Sequence, residues 1–398
     1  MAKSSRLAIL LDLDGSKFER GLNRSLARFK SASKSMQTAG RNLSMGLSAP
    51  LAVVGASSIK VAADFELAMA KVGAVSGGGA KSLGALTEQA KHLGGTTSFS
   101  ASQVSELQLE LSKLGFTQKE LTGGDGIPGM TNAVLNLSKA FDQDLGETAT
   151  VVGATLRQFG LDSADTGRVT DVMAASFAGS ALDLEKFKES MKNVAPVANE
   201  FGFSLEETSS LISVLANNGI AGSDAGTKLK MAFSELAKSG VPVKDTFAKI
   251  IQGGTGYTES LELLGTRAAI LGPIFGKNLG DLASLNAAFM EAEGTAQSMS
   301  DAMGNTTTGK LAEMQSAIEA AQIELGTALV PAILQVVTVI RDMASAFANL
   351  DEGTRQTIVQ FAMAAAPLGP LLIVGGKLTG AIGSIVKGFK LLQGAAAL

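Results

Sequence analysis

The chain has 398 residues with no Cys, no Trp, a single His, 46 Gly, only 18% charged side chains and a net charge of −3. The missing Cys rules out disulfides, thiolate metal sites and cysteine nucleophiles, and one His, His92, rules out a His-based metal cluster and leaves a Ser-His-Asp triad only one candidate base. Aromatic residues make up only 5%, so the apolar content is Ala, Leu, Val, Ile and Met, the residues of closely packed helices.

The charge is unevenly spread. Residues 1–60 hold ten Lys/Arg and three Asp/Glu, a local +7, and the remainder sums to −10. Residues 6–13, short, apolar and closed by Asp14-Gly15, predict a strand. Ser16 then caps a helix whose Phe18, Leu22, Leu26 and Phe29 form one apolar stripe. Arg20, Arg24 and Arg28 each follow a stripe member by two residues, about 200° round the helix, and give it a basic back. Asn42–Ile59 carries no charge but is interrupted by Gly46, Pro50 and Gly55. That pattern points to a buried or mobile segment rather than a membrane span.

Residues 61–295 read as a core domain of short helices with marked ends. Ser100-Ala-Ser-Gln103, Thr117-Gln-Lys-Glu120 and Ser204-Leu-Glu-Glu207 each have the spacing of a capping box. Leu114-Gly115-Phe116-Thr117, Phe159-Gly160-Leu161-Asp162 and Phe201-Gly202-Phe203-Ser204 share an apolar-Gly-apolar-cap pattern. In each, the glycine stops one helix and the polar residue starts the next. Their spacing near forty suggests stacked helix pairs or an irregular bundle. The fold class expected is mainly α: an irregular multi-helix bundle with a short N-terminal strand and apolar C-terminal helices.

Residues 296–350 form a helical seam region. Leu311, Met314, Ile318, Ala321 and Leu325 step by three and four along a heptad line, a packing seam. Residues 325–340 are uncharged and run through Pro331. In the last segment, 351–398, Gln356–Gly376 carries no charge, and no acidic residue follows Glu352. Gln356, Phe361, Leu368, Leu371, Ile373 and Gly376 mark this candidate membrane segment, since a spanning helix needs roughly 20 mostly apolar residues. Pro367, Gly369 and Pro370 would kink it.

The chemical motifs do not hold. Gly304-Asn-Thr-Thr-Thr-Gly309-Lys310 has phosphate-loop spacing, but Leu311 stands where a hydroxyl must hold magnesium, and no strand precedes it. It reads as a polar turn opening a helix. Gly124-Asp-Gly126-Ile-Pro-Gly129 follows a helix and contains Pro128, so it reads as a loop rather than a dinucleotide fingerprint. Asp12-Leu-Asp14-Gly15 has its glycine at the wrong place for a calcium loop. His92 fits the last turn of a helix, where the dipole favours it. Glu206/Glu207 and Asp351/Glu352 sit at helix starts. No catalytic, cofactor-binding or metal-ligating residue emerges.

Several stretches carry a resemblance to a known family. Asp64-Phe65-Glu66 with Met69 and Val72, then Thr97-Ser98-Phe99-Ser100 with Leu114-Gly115-Phe116, resemble phage tail tape measure proteins. So do Phe201–Glu207 and Asn218-Gly219-Ile220-Ala221-Gly222-Ser223-Asp224-Ala225-Gly226-Thr227, the most specific block. Leu263–Ala269, Gly326–Pro331 and Leu368–Leu372 fit as well. The resemblance covers roughly 60–380, the conserved N-terminal core region of a family whose members are commonly longer. It implies a non-enzymatic structural scaffold and length ruler, present in several self-associating copies inside the tail tube. It also implies contact with the tail tube protein, tail-assembly chaperones and baseplate or tail-tip proteins, with no cofactor and no specific nucleic-acid recognition. The location implied is the lumen of the virion tail, after assembly in the host cytoplasm, with the host inner membrane reached on infection. A holin-like or toxin-like pore-forming protein is the alternative raised by the uncharged stretches. A cell-wall hydrolase lacks a catalytic constellation.

Overall fold

The computed structural model describes residues 49–77, 79–124, 127–349, 352–353 and 356. The strand expected at 6–13 and the arginine-backed helix after Ser16 lie outside them. Among the described residues are sixteen α-helices, and the chain is mainly α in an irregular multi-helix arrangement. Two compact units divide it: Ser58–Ala328, and Met1–Ser57 with Leu329–Leu398.

The first helices assemble on heptad-like stripes. In α1 (Ala49–Ser76), Ser58, Ala62, Phe65, Met69 and Val72 alternate steps of four and three and are all buried. They line one face, as a 3.6-residue turn requires. α2 (Gly79–Thr96) buries Leu86, Ala90 and Leu93, and packs on α3 (Ala101–Lys113). α2 ends at Thr96, just past Gly94-Gly95, with His92 near its end. A Cβ on Gly94 would sit 2.5 Å from the Ala101 nitrogen, so the missing side chain lets α3 approach.

The short α4 (Gln118–Thr122) leads into a correction. Gly123–Gly124 (β1) and Ile127–Pro128 (β2) pair antiparallel, with Gly123 opposite Pro128 and Gly124 opposite Ile127. The segment read as a plain loop thus contains a two-residue ribbon, and strand structure is not confined to the chain's start. Pro128 is tolerated because a ribbon this short has edges with no further strand to serve.

Then follow α5 (Met130–Phe141), α6 (Leu145–Phe159), α7 (Thr166–Gly179), α8 (Leu184–Glu200), α9 (Leu205–Asn217) and α10 (Ser223–Lys238). Every residue of α9 from Leu205 to Ala216 is buried except Glu207. A helix covered all round is the centre of its domain, and α7, α8 and α10 pack on it. α11 (Val243–Gln252), α12 (Tyr257–Leu264), α13 (Leu271–Lys277), α14 (Leu279–Met290) and α15 (Thr295–Gly304) complete the unit. α14 covers α9, and α15 covers α5 and α7. Phenylalanines join these layers. Phe203 stacks on Phe233 at 4.5 Å, and Phe247 meets Phe233 edge-on at 5.0 Å and Phe275 at 6.0 Å. Such pairs add roughly 0.5–1.5 kcal/mol each beyond buried area.

The helix ends follow the sequence closely. Ser100 Oγ accepts from the Gln103 amide while Gln103 Oε1 accepts from the Ser100 amide, and Ser204 and Glu207 do the same. Glu120 Oε2 accepts from the Thr117 amide at 2.6 Å. Gly115, Gly160 and Gly202 have φ of +86°, +64° and +79°. The residues after them, Phe116, Leu161 and Phe203, donate back to the carbonyls of Leu111, Leu156 and Ala198. This is the Schellman closure, with an apolar residue just beyond the glycine folding back on its helix. Gly219-Ile220 is a fourth copy, with Ile220 donating to the Leu215 carbonyl. It follows Gly202 closely, so the signal marks helix ends and not a repeat of fixed period.

Candidate functional site

The long α16 (Thr307–Ala348) carries the packing seam. Its start is the polar turn expected in place of a phosphate loop: the Gly309 amide donates to Thr306 Oγ1 at 3.0 Å. Leu311, Met314, Ile318 and Leu325 are all exposed, between 43% and 53%, and Ala321 is exposed with them. The five seam residues therefore share one outward face.

The opposite face is polar and is the side that touches the domain. Glu313 Oε1 pairs with Lys139 Nζ at 3.1 Å. The Ser102 amide donates to Glu319 Oε1 at 3.3 Å. Glu324 Oε1 pairs with Lys91 Nζ at 2.8 Å. Between them only Ser316, Ile323 and Gly326 are buried. Gly326 sits so close to α1 that a Cβ there would be 2.1 Å from the Ser58 carbonyl oxygen and 2.7 Å from Ala62 Cβ. An ordinary surface helix turns its apolar stripe inward. From Leu311 to Leu325 this one does the reverse, and surface ion pairs of this kind contribute only about 0–1 kcal/mol each. The signal for the three glutamates was available: Glu313 comes two residues after Leu311, about 200° round the helix. Their partners were not, since they lie in other helices.

The block Asn218–Thr227 builds a close helix crossing. Gly219 and Gly222 take φ of +81° and +61° to turn the chain between α9 and α10. Ser190 Oγ donates to the Gly222 carbonyl at 2.9 Å, and Asn193 Nδ2 donates to Ser223 Oγ at 3.1 Å. A Cβ on Gly226 would lie 2.2 Å from the Ser190 carbonyl oxygen. The motif is thus a clamp of α10 on α8.

Two buried carboxylates bind the domain over long sequence distances. Asp171 in α7 accepts from the Gly294 and Ala296 amides, both at 2.9 Å. It caps α15 from outside the helix, satisfying amides that have no partner within it. Glu206 in α9 takes a two-pronged contact from Arg168, at 2.6 Å from Nε and 2.9 Å from Nη2. Burial pushes the Glu206 carboxyl up, but the Arg168 hydrogen bonds and charge outweigh it and hold the carboxyl below the ordinary glutamate value. Its neighbour Glu207 serves the Ser204 capping box and pairs with Lys244 at 2.7 Å. Neither faces a second carboxylate across a cleft. An open groove of about 420 Å³ lies beside Lys244, floored by Phe203, Leu211, Phe247 and Leu282.

His92 is exposed near the end of α2. Of the candidate membrane positions, Gln356 is exposed in helix. Phe361, Leu368, Leu371, Ile373 and Gly376 lie outside the described residues. Among the described residues, the helix long and apolar enough to cross a membrane is Thr307–Gln335, within α16.

Residues 87–318 match the model of a family described as phage-related minor tail protein. The chain is 31% identical over 413 residues to the tape measure protein of Pneumococcus phage Dp-1, covering 93% of this chain and 35% of that protein. It is 27% identical over 274 residues to the probable tape measure protein of Escherichia phage P2, covering 61% of this chain and 33% of that one. The chain thus spans about a third of the length of these relatives. No solved structure matches it. The pore-forming alternative finds no counterpart among these relatives.

Proposed function

Since the chain belongs to the phage-related minor tail protein family, we propose that it acts as a tail tape measure. In this reading it is a structural scaffold and length ruler in the tail tube. Copies associate through the α16 seam, in contact with the tube protein, and assembly chaperones and tail-tip proteins bind the chain during tail building. The observation that carries the reading is the outward apolar face of Leu311, Met314, Ile318, Ala321 and Leu325. A face of that kind invites aggregation unless another surface covers it, and a heptad line is best covered by the same line on another copy. The C-terminal segment marked by Phe361, Leu368, Leu371 and Ile373 enters the host inner membrane when the protein leaves the tube.

Duplicating residues 311–324 inserts two heptads and keeps the seam in register. Each duplication should lengthen the tail by about 21 Å, at about 1.5 Å per residue. Because rings add in whole steps, electron micrographs are compared after two or three duplications. Unaltered tails that still contain the protein would make the chain an initiator or plug and not a ruler.

A further inference from the structure

The open groove beside Lys244 has no part in the ruler reading, and neither the seam nor any other residue of α16 lines it. α11 and α14 supply its walls and α9 its floor. Its volume of about 420 Å³ falls within the roughly 300–1,000 Å³ of sites that hold a ligand. The floor is set in advance. Phe203 is stacked on Phe233 and meets Phe247 edge-on at 6.2 Å, so each ring pins the next. A surface already ordered before binding loses little freedom on binding.

Two polar groups in this apolar setting have bonding capacity left over. Asn286 on α14 lines the groove, and its Oδ1 is buried with no hydrogen-bond partner among the described residues. A carbonyl oxygen in that position calls for an N–H donor. On the other wall, Lys244 Nζ donates to Glu207 Oε2 at 2.7 Å and to the Gly202 carbonyl at 2.9 Å. An ammonium has three donors, and the third has no acceptor among the described residues. Glu207 is turned away into its capping box, where the same Oε2 accepts from the Ser204 amide.

The groove also continues past its deepest part. Leu279, Ala283 and Asn286 line it from α14 at steps of four and three. Four residues on, Met290 prolongs the same line and is 64% exposed. An occupant therefore has an apolar ledge to follow outward, which a single free amino acid would leave bare.

These features fit together as one kind of ligand: an apolar body, an N–H for Asn286, an anion for Lys244, and a chain leading away. We infer that the groove captures the carboxyl end of a partner protein whose last residues are apolar. The final side chains lie on Phe203, Phe247, Leu211 and Leu282. A backbone N–H near the end donates to Asn286 Oδ1, and the terminal carboxylate accepts from Lys244. The preceding residues leave along Met290.

The test uses the full chain, immobilised, and a pool of short peptides. Each peptide ends in two apolar residues drawn from Ala, Val, Leu and Phe after a glycine-serine spacer, and each is made with a free carboxyl end and with an amide end. Mass spectrometry of the retained peptides should show free ends enriched by at least roughly tenfold over amide ends. Lys244→Met should abolish that preference. Asn286→Leu should lower retention of both forms by at least roughly tenfold, while its melting temperature holds or rises, because a buried carbonyl without a partner has been removed. Ala283→Phe, at an exposed position on the groove wall, should block both forms and leave the fold intact by circular dichroism.

Equal retention of the two ends, or retention of neither, overturns the inference. So does free-end retention that survives both Ala283→Phe and Asn286→Leu, which would place the peptide elsewhere. If Ala283→Phe instead disperses self-associated chain, read by light scattering, a second copy occupies the groove and the inference falls. Should Lys244→Met not fold, the variants at 283 and 286 still decide. None of these outcomes bears on tail length after seam duplication, so this inference and the ruler reading fail separately.

Discussion

An alanine at Gly226 and one at Gly219 should fail for different reasons. Gly226 has ordinary helical backbone, but its Cβ would strike the Ser190 carbonyl oxygen at 2.2 Å. The obstruction is backbone, which cannot rotate aside, so Gly226→Ala should cost about 1–3 kcal/mol or slightly more. Gly219 has open space around it and φ of +81°, so Gly219→Ala should cost about 1–2 kcal/mol from conformation alone. Asn, which tolerates left-handed backbone, should recover part of the loss at 219 and none at 226. Urea denaturation of the four variants decides. At Glu206 the sign of the pH effect follows from the Arg168 pair. The folded carboxyl titrates below its unfolded value near 4.5, so its stabilisation is present above that value and disappears as pH falls through the folded one. Glu206→Gln should lose about 1–2 kcal/mol at neutral pH, a figure discounted because Arg168 is half exposed. It should also flatten the fall in stability as pH drops below the unfolded value, measured by denaturation midpoints across the acid range.

On α16 two isoleucines five residues apart should behave as opposites. Ile318 is exposed on the seam and Ile323 is fully buried against the domain. Ile318→Asp should leave the melting of the folded chain within about 0.5 kcal/mol and abolish association between copies, read by light scattering. Ile323→Ala should cost about 2–5 kcal/mol and leave the seam itself untouched. The contrast also marks what a reader of the sequence could see. Capping boxes at Ser100, Thr117 and Ser204, and the glycine stops at 115, 160 and 202, were legible because each is closed by residues within five positions. The seam's existence was legible from its three-four spacing. The polar contacts that turn it outward were not, because Glu313 and Glu319 find their partners 174 and 217 residues away. The ribbon at Gly123–Pro128 was missed for the opposite reason: two paired residues are too few to leave an alternating pattern.

Across the whole chain the charge is segregated. Residues 58–328 hold 20 Lys/Arg and 31 Asp/Glu, a net −11. A body of that charge repels the phosphate backbone, since non-specific DNA affinity rests on neutralising phosphates with cations. The full chain should therefore show no DNA retention through this region: substituting Lys139 and Lys228 by Gln should leave a gel-shift assay at low salt unchanged. Insertions should also divide by region. Fourteen residues placed inside buried α9 should prevent soluble folding, whereas the same length added at the seam should leave the domain's melting temperature in place.

The Asp171 cap has a consequence in time. Ala296 follows Asp171 by 125 residues, and a ribosome adding about 5–20 residues per second needs roughly 6–25 s to make that interval. For those seconds α7 exists without the two amides that donate to the Asp171 carboxylate, so the face it offers to α15 stays wet and open. The nascent chain is then exposed to proteases and to unwanted partners for a defined interval. Ribosomes stalled just before Gly294 should carry chains that protease still cuts within α7, and ribosomes stalled well past Ala296 should not.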